Sequence, residues 1–126
     1  MPKPTTTTLI FLWFFFLLTH NIFNYFSLYW AYPGVDIPMH LFGGGLILIS
    51  LYKLQDNKTL NTFFAKSHLH VLVLLFIATL IWEIYQVLSG KRIDETYLSS
   101  TVSDIFFGMV GGTAVFLWLN FKNKTK

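Results

Sequence analysis

The sequence predicts an all-α fold, a bundle of four transmembrane helices in a single domain that covers residues 1–126. Three observations predict it. Hydrophobic residues make up 54% of the chain and charged residues only 12%, whereas a soluble domain carries about 25% charged residues. Four apolar runs are long enough to cross a bilayer, and polar or glycine-containing turns separate them. The predicted spans cover about residues 9–30, 38–52, 68–88 and 101–121.

The first predicted span differs between its two halves. It is purely apolar from Leu9 to Leu18 and then carries His20, Asn24 and Ser27 at helical spacing. That polar stripe should face other helices rather than lipid. No small-residue cleavage site follows the span, which predicts that it is retained in the protein rather than removed as a signal peptide.

The second span begins with two helix-start signals and continues with glycine. Asp36 can accept hydrogen bonds from the free amides of the first turn. Pro38 is tolerated there because its missing N–H would have no intrahelical partner. The glycines at residues 43–45 provide a smooth face for close helix packing, and His40 lies about one turn inside the span.

The third and fourth spans each carry a carboxylate near the same end of the bundle. Glu83 lies about five residues before the end of the third span and shares a helix face with Gln86. Asp104 lies about one turn into the fourth span, on a stripe with Gly108 and Gly112. The aspartate is thus on the face with small residues, which should point toward other helices.

Lysine placement predicts the orientation of the chain. The N-terminus, the loop over residues 53–66 and the C-terminal tail fall on one side of four alternating spans and carry seven lysines. Because cytoplasmic loops are enriched in lysine and arginine, this side should be cytoplasmic. The chain is then expected in a bacterial inner membrane with both termini inside, and Asp36, His40, Glu83 and Asp104 at the outer end.

These four polar residues are the candidate functional group. A charged side chain in hydrocarbon costs from about 3 to more than 10 kcal/mol, so it generally marks a site or a paired contact. Carboxylates and an imidazole can act as general acid and base, which makes Glu83, His40 and Asp104 the candidate catalytic residues. Asp36 and Gln86 are candidate supporting contacts to a ligand or cofactor. The cofactor is unknown, but His40, Glu83 and Asp104 are also candidate ligands of a divalent metal.

Three functional interpretations of this group stay open. The favoured one is an outward-facing polar site that binds or processes a lipid or cell-envelope component. A second is a transport subunit that passes protons or cations, which would need oligomerisation because four short helices enclose little volume. A third is a structural or accessory protein whose polar group only holds helices together. Whether the chain is an enzyme is left open.

Composition excludes several other classes of protein. The chain has no cysteine, which rules out disulfides, thiolate metal sites and cysteine nucleophiles. Basic residues lie at the termini and in loops rather than along one helix face with interleaved aromatics, so nothing supports nucleic-acid binding. The expected partners are the lipid bilayer, a lipid or headgroup ligand, and further copies of this chain.

Three motifs in a fixed order suggest a family. Asp36 and His40 open the second span, Glu83 and Gln86 follow a tryptophan near the end of the third, and Asp104 precedes a Gly-x-x-Gly-Gly run in the fourth. Together they resemble the VanZ-like superfamily of small bacterial integral membrane proteins, or a sister family of unknown function. The resemblance implies a protein of the cell envelope with these five residues as its characteristic polar positions. It implies no reaction.

Overall fold

Four helices of this protein are each long and apolar enough to span a membrane. A computed structural model describes residues 4–54, 68–89 and 97–124, and these residues are all-α. The segments that qualify as spans are Thr6–Tyr25, Asp36–Leu54, Leu69–Leu88 and Leu98–Phe121. The predicted fold class is therefore confirmed, and the protein is a small multi-pass membrane protein. That it forms a single domain stays a prediction.

One helix has the bounds that the sequence predicts, over residues 68–88, and the other three long helices differ from their predicted spans. In chain order they are α1 Thr6–Tyr25, α2 Leu28–Ala31, α3 Asp36–Leu54, α4 His68–Leu88 and α5 Tyr97–Lys124, with a 3-10 turn at Pro33–Val35. Helices α3 and α5 extend beyond the predicted spans because helical hydrogen bonding continues through polar residues at their ends. Most of the two predicted polar loops, over residues 53–66 and 91–100, lies outside the described residues.

The surface of the bundle is apolar and exposed, as a lipid-facing surface must be. Large side chains such as Phe11 and Leu88 are 73% and 82% exposed. Few apolar side chains are buried within the described residues: Leu9, Phe16, Leu46, Leu48, Val71 and Leu75. A chain in water would leave this apolar surface uncompensated, whereas lipid tails solvate it. The stability of the bundle must then depend on close helix packing and polar contacts between helices.

The closest helix contact lies between α3 and α5. A Cβ atom on Gly44 would collide with the carbonyl oxygen of Gly108, and one on Gly111 would collide with the backbone of Leu41. The two backbones therefore touch directly, which only glycine at these positions allows. Further along both helices, a Cβ on Gly45 would lie 3.2 Å from a methyl group of Val115.

Helix α4 packs against the other side of the α5 glycines. A Cβ on Gly108 would meet the methyl group of Thr79 at 2.9 Å, and one on Gly112 would collide with Leu75. Each step of one turn forward along α5 thus matches one turn backward along α4, so the two helices are antiparallel. The prediction that Gly108 and Gly112 face other helices is confirmed.

Helix α1 closes one side of the bundle through aromatic side chains. The indole N–H of Trp13 donates a hydrogen bond of 2.9 Å to the hydroxyl of Ser50 on α3. The buried ring of Phe16 lies over Gly43 and packs against Trp82 of α4, with ring centroids 5.7 Å apart.

The first span ends earlier than the sequence predicts. Ser27 adopts a left-handed conformation, with φ of 56°, so the chain turns between α1 and α2 instead of continuing as one helix to residue 30. This turn lets Tyr29 reach back to His20, where the hydroxyl oxygen and Nδ1 are 2.8 Å apart. In a continuous helix, residues nine apart would be separated by about 13 Å along the axis.

Each ring nitrogen of His20 contacts a polar side chain. The amide nitrogen of Asn24 lies 3.3 Å from Nε2 of His20, while Nδ1 faces the hydroxyl of Tyr29. Burial raises the pKa of Tyr29 above its usual range, so its hydroxyl stays protonated at any physiological pH. Of the predicted polar stripe, His20 is buried as expected, whereas Asn24 is exposed and Ser27 lies outside the helix.

The glycine contact generates a first prediction. We expect Gly44→Ala to lower the unfolding free energy by about 1–3 kcal/mol or more, because the added methyl group forces α3 and α5 apart. Gly34→Ala is the control, since a Cβ there meets nothing within 4 Å. Thermal unfolding of the detergent-purified proteins measures both, and an unchanged midpoint for Gly44→Ala would contradict direct backbone contact.

The turn after α1 generates a second prediction. Tyr29→Phe removes the hydroxyl that hydrogen-bonds His20 and should reduce stability by about 0.5–1.5 kcal/mol. Tyr25→Phe removes a hydroxyl from a side chain that is 83% exposed, so it should have no effect. Equal unfolding free energies for the two variants would show that the contact between Tyr29 and His20 does not stabilise the turn.

Candidate functional site

The centre of the candidate site is His40, which lies between two aspartates. Its Nε2 atom is 3.2 Å from Oδ1 of Asp36 and 3.2 Å from Oδ1 of Asp104. Asp36 lies one turn earlier on α3, whereas Asp104 comes from α5. One imidazole nitrogen therefore faces a carboxylate from its own helix and a carboxylate from the neighbouring helix.

These three side chains differ in their access to the surroundings. His40 is 8% exposed and Asp104 5% exposed, while Asp36 lies at the start of α3 and is only partly buried. A buried carboxylate without a partner would be strongly destabilising. The contact with His40 offsets part of that cost for Asp104, and it also ties α3 to α5.

The glycine contact explains why His40 and Asp104 meet. His40 lies one turn before Gly44 on α3, and Asp104 lies one turn before Gly108 on α5. The pairs His40 with Asp104, Gly44 with Gly108 and Gly45 with Val115 advance together along both helices, so α3 and α5 run parallel. The backbone contact between Gly44 and Gly108 therefore holds the residues one turn earlier close together. Larger residues at these glycines would widen the gap that the imidazole and the carboxylate now bridge.

A cavity opens beside this group, between the helices. The cavity volume, measured as the space open to the centre of a water molecule, is about 30 Å³. By the same measure a single water molecule needs about 10–15 Å³. Residues from α1, α3, α4 and α5 line it: Trp13, Phe16, Met39, His40, Gly43, Gly44, Ile47, Thr79, Trp82, Glu83, Asp104 and Gly108. The cavity therefore combines apolar and aromatic walls with three ionisable side chains.

Glu83 reaches this cavity from α4. It is only 4% exposed and lies one turn beyond Thr79, which packs against Gly108. Since α4 and α5 are antiparallel, one turn beyond Thr79 is level with one turn before Gly108, which is where Asp104 lies. The hydroxyl of Thr79 donates to the carbonyl of Phe76 at 2.7 Å, so its methyl group is left to face Gly108.

Another polar atom lies close to Asp104 in sequence. The hydroxyl oxygen of Thr101, three residues before Asp104 on α5, is buried and has no hydrogen-bond partner in the described part of the chain. A buried hydroxyl without a partner is costly. Thr101 thus adds a polar group with unused hydrogen-bonding capacity to the start of α5.

The chemistry available here is that of carboxylates and one imidazole, with His40, Glu83 and Asp104 largely buried. Such groups can accept protons, bind an ammonium or hydroxyl group, or coordinate a metal ion. Asp36, His40 and Asp104 each offer one ligand atom, and these atoms all lie within 4.8 Å of one another. Glu83, which the sequence suggested as a metal ligand, lies on the cavity wall outside this described group.

The structure places the other candidate residues as follows. His40, Glu83 and Asp104 share the cavity, Asp36 contacts His40, and Gln86 is only partly buried on α4. Their functional roles stay predictions. The apolar and aromatic walls were not foreseen, and of these only Trp82, next to Glu83, carried a signal in the sequence. Phe16 lies within an unbroken apolar run in which nothing distinguishes it.

Comparisons of the chain with protein-family models, with curated proteins and with solved structures find no match. The site must therefore be interpreted from its own residues and geometry.

Proposed function

We propose that this protein binds the polar head of a membrane lipid, or of a lipid-linked envelope component, in the cavity beside His40. One observation carries the proposal. Glu83 and Asp104 are buried at the wall of a cavity whose other walls are apolar and aromatic. Binding pockets for small ligands commonly combine apolar walls with a few polar groups in this way.

The charge of the cavity favours one class of head. Glu83 and Asp104 provide two carboxyl groups in the cavity wall against the single imidazole of His40. At an effective dielectric constant of about 20, two unit charges 4 Å apart interact by about 4 kcal/mol. Such a site attracts an ammonium group and repels a phosphate, so the ligand is an amine-bearing headgroup rather than an anionic one.

The size and walls of the cavity agree with this choice. A cavity of about 30 Å³ admits one ammonium or hydroxyl group rather than a whole headgroup. The indole of Trp82 lines the same cavity, and aromatic faces attract cations such as ammonium groups. The acyl chains of the lipid would lie outside, along the exposed apolar faces of the helices.

A cell-envelope role is part of the proposal. The resemblance of the Asp36, Glu83 and Asp104 motifs to the VanZ-like superfamily supports it, as does the lysine distribution, which predicts that the site faces away from the cytoplasm. The ligand would then come from the outer leaflet of a bacterial inner membrane. Whether the protein also processes the bound headgroup depends on Glu83 and His40 acting as acid and base.

Exchange of the buried carboxylate tests lipid binding. Native mass spectrometry of the detergent-purified protein, titrated with phosphatidylethanolamine or phosphatidylglycerol, should show tighter binding of phosphatidylethanolamine by wild type. Glu83→Gln should weaken that binding by about tenfold, which corresponds to about 1.4 kcal/mol. Tyr85→Phe is the matched control, because Tyr85 is on the same helix, is 49% exposed and lies outside the described lining of the cavity, and it should bind both lipids as wild type does.

Two outcomes would contradict the proposal. Equal binding of the two lipids by wild type would contradict the preference for an amine-bearing headgroup. Unchanged binding by a folded Glu83→Gln variant would show that the lipid does not bind in this cavity. A structural role would instead appear as a lowered unfolding midpoint for Glu83→Gln without selective lipid binding. The contact between His40 on α3 and Asp104 on α5 is the observation that supports this second function.

The proposed orientation can be tested on a chain that has no cysteine of its own. Single substitutions Gly34→Cys, in the turn before α3, and Asn123→Cys, near the end of α5, place one thiol at each end of the bundle. In intact bacterial cells with a permeabilised outer membrane, a membrane-impermeant maleimide should label Gly34→Cys but not Asn123→Cys. The reverse pattern would show that the site faces the cytoplasm.

A further inference from the structure

We propose that Asp36, His40 and Asp104 form a binding site for one divalent transition-metal ion. The ion would lie between α3 and α5, near the first turn of α3 and about two turns into α5. The site shares His40 and Asp104 with the wall of the lipid cavity, but Asp36 belongs only to the metal site and Glu83 only to the cavity.

Distances between the side chains fit a metal site. Metal–ligand bonds to imidazole nitrogen and carboxylate oxygen are about 2.0–2.2 Å long, so neighbouring ligand atoms around one ion are about 2.8–3.1 Å apart in octahedral geometry and about 3.3–3.6 Å apart in tetrahedral geometry. Nε2 of His40 is 3.2 Å from a carboxylate oxygen of Asp36 and 3.2 Å from one of Asp104. The ligand atoms of all three residues lie within 4.8 Å of one another.

Both carboxylates approach the same nitrogen atom, which hydrogen bonding alone explains poorly. A protonated Nε2 carries one hydrogen, so a single N–H must be shared between Asp36 and Asp104. A metal ion between the three side chains would instead coordinate the lone pair of Nε2 and one oxygen of each carboxylate, so that no single N–H has to be shared. Such a cation would contact all three side chains at once.

The balance of charge also favours a divalent ion. His40 and Asp104 are buried at the end of a membrane span, where unbalanced charge is costly. Two ionised aspartates with a neutral imidazole carry a charge of about −2, which one divalent ion neutralises. A protonated imidazole would neutralise only half of that charge.

The donor set selects the class of metal. Mixed imidazole and carboxylate ligands suit zinc, manganese, iron or cobalt, whereas calcium and magnesium prefer sites built from oxygen alone. Three protein ligands leave at least one coordination position for water or a ligand. His40 and Asp104 also line the cavity, so that position is accessible from it.

Metal titration of the purified protein tests the site. The protein would be stripped of metal with a chelator and titrated with Zn²⁺, Mn²⁺, Co²⁺ and Mg²⁺ in lipid-free detergent, with isothermal calorimetry as the readout. Wild type should bind Zn²⁺ or Co²⁺ at one site and Mg²⁺ far more weakly. Bound Co²⁺ should show visible absorption bands, whose intensity reports the coordination geometry.

Exchange of single ligands gives the decisive comparison. Asp36→Asn and Asp104→Asn should each weaken Zn²⁺ binding by about 100-fold or more, beyond the 10–100-fold typical of residues that only support a ligand. Asp36 lies at the helix start and is only partly buried, so its variant should fold even if that of Asp104 does not. His70→Gln is the histidine control, and should bind Zn²⁺ as wild type does.

The result separates the metal site from lipid binding. Absence of Zn²⁺, Mn²⁺ and Co²⁺ binding by wild type, or unchanged binding by a folded Asp36→Asn variant, would overturn the metal site and leave the lipid proposal standing. Absence of lipid selectivity together with intact Zn²⁺ binding would overturn the lipid proposal and leave the metal site standing. A loss of Zn²⁺ binding in Glu83→Gln alone would mean that the ion is held in the cavity by other residues.

Discussion

The direct backbone contact between α3 and α5 is the constraint on which the rest of this bundle depends. Lipid offers no hydrophobic driving force for helix association, so close packing and polar contacts must hold the helices together. Gly44, Gly108 and Gly111 allow the two backbones to touch. The same contact sets the distance between His40 and Asp104, because these residues lie one turn earlier on the two helices.

The polar group and the glycines are therefore parts of one arrangement. A buried aspartate is tolerable in a membrane protein only if another group meets it, and His40 does so from the opposite helix at 3.2 Å. Helix α4 completes the arrangement by packing Thr79 against Gly108, which brings Glu83 level with Asp104. Three ionisable side chains from three helices thus share one small cavity, and aromatic side chains from α1 and α4 cover it.

Most of the fold was predictable from the sequence, and the exceptions have identifiable causes. A long apolar run with polar residues at both ends predicted α4 with the bounds that the structure has. The end of α1 was not predictable, because it depends on the left-handed conformation of Ser27 and on a contact between Tyr29 and His20. Hydropathy does not register a turn within an aromatic stretch, since the residues on both sides of it are equally apolar.

The sequence by itself determined that the chain spans a membrane four times and that Asp36, His40, Glu83 and Asp104 are ionisable residues within or at the edge of its apolar spans. Composition and segment length suffice for those conclusions, because any helix that crosses a bilayer needs about 20 mostly apolar residues, and ionisable residues stand out within such a segment. Only the tertiary structure decided which of these side chains meet. Successive residues of a helix point about 100° apart, so spacing along the chain left the partner of His40 open. Packing of α3 on α5 selected Asp104 as that partner and placed Glu83 on the cavity wall.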